Sequence, residues 1–93
     1  MLPLATLLKV FYEHPDEWCS KRNYAQWTLQ SFEHCKLVRE YLQKNDPNHA
    51  YLDRLEECMS RYMKWCHDHK REFPWPKHLA TPAAREVVFG TFS

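Results

Sequence analysis

An all-α fold is predicted for this 93-residue chain by three features of its sequence. It holds a single glycine, Gly90; two long stretches repeat their apolar residues at helical steps; and a compact Asn-Asp-Pro-Asn turn separates those stretches. One glycine leaves almost no means of building the tight turns of β-hairpins or the phosphate-cradling loops of α/β folds. A chain this short forms one domain at most, buries a modest share of its surface, and needs staples or a partner to reach ordinary stability. The expected architecture is an antiparallel helical hairpin over residues 15–72, stapled by disulfides. A short amphipathic helix over residues 1–14 precedes it, and an extended, proline-containing docking tail over residues 73–93 follows.

Residues 3–13 carry Leu4, Leu7, Leu8, Phe11 and Tyr12 at three- and four-residue steps, the pattern of a first helix. His14-Pro15 ends it, because proline disfavours helical geometry in the residue before it. Pro15-Asp16-Glu17 then reads as a new helix start, with proline in the first turn and acids at the positive end of the dipole. Ser20 and Asn23 favour turns, so this second helix either runs on or bends there. From Tyr24 to Lys44 one stripe gathers Tyr24, Trp27, Thr28, Ser31, His34, Cys35, Val38, Tyr41 and Leu42. Leu29, Phe32 and Leu37 fall off that stripe, either exposed or facing a partner.

Asp46 is placed to cap the next helix and Pro47 to occupy its first position, so a helix is expected from Pro47 to Arg71. Its inner stripe is Tyr51, Leu52, Leu55, Cys58, Met59, Tyr62, Trp65, Cys66 and His69, and Lys70 and Arg71 suit its negative end. So short a connection implies antiparallel helices. After Phe73, the residues Pro74, Pro76 and Pro82 read as helix breakers, while Trp75, Leu79, Val87, Val88, Phe89 and Phe92 stay apolar. A tail of this kind is expected to lie along a groove, on a neighbouring protein in preference to its own hairpin.

The formal charge is +1 with acids and bases interspersed, which gives no electrostatic footprint for nucleic acid or an anionic membrane. Four tryptophans, five tyrosines and five phenylalanines are many for so small a core, and aromatic residues concentrate at the buried centres of protein interfaces. Trp18, Trp75, Phe89 and Phe92 are the expected partner contacts. No stretch reaches the roughly 20 apolar residues that cross a bilayer, since Lys9 interrupts the run from Leu2 to Tyr12. Peripheral membrane association stays open. That run has no basic segment before it, and Glu13, Asp16 and Glu17 argue against a presequence, so the mature chain is expected to begin at or near Met1.

Cys35 and Cys58 are equidistant from a turn centred between Asp46 and Pro47, on stripes expected to face each other. Inward-pointing Cα atoms at facing positions can approach to the ~5.5 Å a disulfide needs. Cys66 lies about two turns beyond Cys58 on nearly the same face. Cys19 could reach it only if the chain bends around Ser20 to Asn23. Two other readings stand beside the disulfides: buried thiols in a reducing compartment, and zinc ligands. No C-x-x-C knuckle occurs, and Cys66-His67-x-His69 spreads its side chains around a helix. Cys35, Cys58 and Cys66 with His34 or His69 remain the one combination that could converge.

With Cys35 opposite Cys58 and Cys19 opposite Cys66, nested pairs on two antiparallel helices, residues 19–66 resemble the coiled-coil-helix-coiled-coil-helix proteins of mitochondria. The cysteines lie farther apart in the first helix, and closer together in the second, than is usual in that family. The resemblance implies import into the intermembrane space without a cleaved presequence, oxidation there, and a role as accessory subunit or assembly factor of a respiratory complex. For catalysis the nearest candidates are Cys66 with His69 and Glu56 with Glu57, respectively an expected staple and a solvated helix face. The expected function is thus a non-catalytic subunit, without cofactor, that contacts other protein subunits in the intermembrane space or at the inner membrane. The alternatives are a small zinc-binding module and a cytosolic or viral helical adaptor with reduced cysteines.

Overall fold

The computed structural model describes residues 2–20 and 23–90, apart from the side chains of residues 19 and 20. All regular structure among them is helical, and the chain divides into two compact units, Met1–Tyr62 and Met63–Ser93.

The first unit opens with α1, Leu4–Glu13, whose Leu7 and Phe11 are buried one turn apart at 1% and 0% exposure. It stops at His14, whose N–H reaches the Val10 carbonyl at 2.9 Å, and Pro15 begins α2, Pro15–Ser20. Both α2 and α3 pack on α1. The helix α3 spans Leu29–Asn45, starting later than Tyr24 because Thr28 caps it. Thr28 Oγ1 accepts the Ser31 N–H at 3.2 Å, and Ser31 Oγ accepts the Thr28 N–H at 3.4 Å. Such a reciprocal cap satisfies two amides that would otherwise lack partners. Tyr24–Gln26 becomes a separate 3-10 turn. Freed from the phase of Tyr24, α3 buries Phe32, Cys35, Val38 and Leu42, so Phe32 lies inside the core and Thr28 and Ser31 do not.

The connection is longer than the sequence suggested. Asp46 closes α3, its N–H on the Leu42 carbonyl at 2.8 Å, and does not cap the following helix. The next helix, α4, spans Leu52–Asp68 instead of starting at Pro47. His49 organises the intervening residues: its N–H bonds to the Asp46 carbonyl at 3.0 Å and its Nδ1 accepts the Tyr51 N–H at 3.1 Å. Its ring packs 5.2 Å from Phe11 and 5.4 Å from Tyr12, so a loop imidazole joins the core beneath α1. The helices α3 and α4 are antiparallel: Gln43 donates to Glu56 at 3.0 Å near the loop, and Phe32 meets Tyr62 at 6.0 Å away from it. Leu55, Cys58, Met59, Tyr62 and Cys66 form the buried stripe of α4, as its periodicity foretold.

In the second unit α4 ends at Asp68 through Lys70, which adopts a left-handed φ of 55°. The Arg71 N–H returns to the Cys66 carbonyl at 2.9 Å, the closure usually made with glycine, and a lysine there costs about 1 kcal/mol. The tail is not extended throughout. After irregular residues 71–76 and a 3-10 turn at Lys77–Leu79, it forms α5, Pro82–Phe89. Pro82 starts this helix instead of breaking one, since its missing N–H and fixed φ suit a first turn, and Thr81 Oγ1 accepts the Ala84 N–H at 3.2 Å. Among the described residues of the tail, Phe73, Leu79 and Phe89 are the buried apolar ones. No described helix is long and apolar enough to cross a membrane.

Candidate functional site

Cys35 and Cys58 are buried at 4% and 0% exposure. Their equidistance from the turn fails, because the loop runs over residues 46–51. Their level on the hairpin survives. Cys35 follows Phe32 by three residues and Cys58 precedes Tyr62 by four, so each lies one turn loopward of the Phe32–Tyr62 contact. The asymmetric loop compensates for the shifted helix starts. Among the described residues no disulfide is formed. Cys66, in the second unit, is fully buried, while the side chain of Cys19 lies outside the described residues.

The expected partner contacts divide. Trp18 is half-buried, edge-on to Phe11 at 5.8 Å. Trp75 is half-buried, with the Arg85 guanidinium 4.5 Å above its ring and Phe73 at 4.7 Å. Phe89 is only 4% exposed and packs 5.6 Å from His67 and 6.0 Å from Trp75, so it belongs to its own unit's core and not to a docking surface. Phe92 lies outside the described residues. Exposed large apolar side chains are instead Leu2, Leu4, Val10, Tyr12 and Leu29 in the first unit, Leu29 being one of the residues the sequence left off the α3 stripe, and Val87 and Val88 in the second. Sequence reading missed the two valines as surface because α5 was not foreseen; the Thr81-Pro82 start, which would have set their helical phase, was the available signal.

The first unit has an open cavity of about 290 Å³ lined by Glu17 and Trp18 of α2, Trp27, and Ser31, His34 and Cys35 of α3. Among the described residues that line it, Glu17 carries the one fixed charge. Nε2 of His34 is covered by protein and has no hydrogen-bond partner. The second unit has a larger cavity, of about 540 Å³, where Lys70, Arg71 and Arg85 face Asp68 and Glu86. The Arg85 Nε–H donates to the Leu79 carbonyl at 2.8 Å and Nη2 to that of Ala80 at 3.1 Å, so this cation already ties the 3-10 turn to α5.

The side chains considered for chemistry have structural contacts. His69 stacks on Trp65 at 4.2 Å with Nδ1 3.0 Å from the Trp65 carbonyl oxygen. Glu56 accepts from Gln43, and Glu57 pairs with Arg61 at 2.8 Å. No group of three or more His, Cys, Asp or Glu side chains placed to hold a metal occurs among the described residues. At the loop end, Asp16 accepts the Tyr51 hydroxyl and lies 3.8 Å from Arg54, an exposed pair worth at most about 1 kcal/mol. Comparison of the chain with protein-family models, with curated proteins and with solved structures returns no match.

Proposed function

We propose that this chain is a non-catalytic structural or accessory subunit, or an assembly factor, of a larger protein complex. The observation that carries the reading is the surface of α1. Its inner face, Leu7 and Phe11, is buried, yet Leu4 and Val10 are 39% and 38% exposed, with Leu2 at 50% beside them. A helix apolar on more than one face is usually covered on more than one. Val87 and Val88, 76% and 41% exposed, offer the second unit a contact of its own, joined by half-buried Trp75. Trp18 is the corresponding aromatic in the first unit.

The resemblance of the cysteines to coiled-coil-helix-coiled-coil-helix proteins gives this reading its finer form: an oxidised hairpin in the mitochondrial intermembrane space or at the inner membrane, attached to a respiratory complex. Cys35 and Cys58, level in the core of one unit, are the pair that reading relies on most, with Cys19 and Cys66 as the outer pair. The direct test is native electrophoresis of organelle extract carrying an epitope-tagged chain at natural abundance. The reading expects the tag in one large assembly at fixed stoichiometry, with the combined variant Leu4→Ser/Val10→Ser released from it while still folded. A tag that runs as the bare 11.3 kDa chain would overturn it.

A further inference from the structure

We draw no further inference here: the strongest candidate, the cavity of about 540 Å³ in the second unit between the end of α4 and the start of α5, sets Lys70, Arg71 and Arg85 against Asp68 and Glu86, and with both signs of charge on its described walls nothing in the structure shows what would fill it.

Discussion

Replacing Phe11 with alanine should destabilise the first unit by about 3–5 kcal/mol. The ring is 0% exposed and meets His49 at 5.2 Å, Tyr12 at 5.5 Å, Trp18 at 5.8 Å and Tyr51 at 6.5 Å. A buried phenylalanine removes roughly 150–250 Å² from water, which at about 25 cal/mol/Å² comes to about 4–6 kcal/mol. Residual burial in the unfolded chain lowers that by roughly 10–40%, into the range usual for phenylalanine-to-alanine changes in cores. Against a net stability of about 5–15 kcal/mol the loss is large enough to leave the unit partly unfolded without denaturant. Urea unfolding followed by tryptophan fluorescence and circular dichroism measures it, with Val10→Ala, on the exposed face, as the control expected to cost less than about 1 kcal/mol. Equal, small effects of the two substitutions would refute the packing of α1 on the hairpin and return it to the role of a docking helix.

Three further outcomes follow from single contacts. Thr28→Ala removes the reciprocal cap of α3 and should cost about 1 kcal/mol in the same unfolding assay, while Thr28→Ser retains most of it. Tyr12, whose hydroxyl donates to Asp46 at 3.3 Å, has its pKa raised above 10.0, first by burial and then by the charge and hydrogen bond of that carboxylate. The raised value favours the neutral phenol in the folded chain, so its stabilisation is complete below pH ~10 and is lost as pH rises through the folded-state pKa. Phenolate absorbance should show a late-titrating tyrosine that disappears in Tyr12→Phe and moves down in Asp46→Asn. Arg85→Gln should loosen the 3-10 turn from α5 and speed amide exchange at Leu79 and Ala80 without changing exchange in the first unit.

The helical class, the break at His14-Pro15 and the buried stripe of α4 were legible because each rests on local chemistry or on a period sustained over many residues. Phe32 was not, because a continuous helix from Tyr24 fixed the wrong phase; Thr28 with Ser31 is a reciprocal cap without the usual Glu or Gln, and it resets that phase. Asp46-Pro47 has every mark of a helix start, yet Asp46 ends α3, and His49 draws the loop into the core through contacts with Phe11 and Tyr12 that no local pattern encodes. Pro82 misled in the opposite direction, since the same residue that stops a helix from within begins one after a threonine. Of the residues around the first unit's cavity, the sequence marked Trp18 as a partner contact, Cys35 as a staple, His34 as a candidate zinc ligand and Trp27 and Ser31 as inner-stripe residues, but nothing in it brought them together as one site. Glu17 and Trp27 lie ten residues apart, on different elements, and no local pattern signals that they line one cavity.

The oxidation state of the cysteines tests the stapled-subunit account most directly. Intact mass of the native chain is measured after alkylation under denaturing conditions, with and without prior reduction. The account predicts that all four cysteines take up the reagent only after reduction, with peptide mapping then joining Cys35 to Cys58. Alkylation of all four without reduction would contradict it.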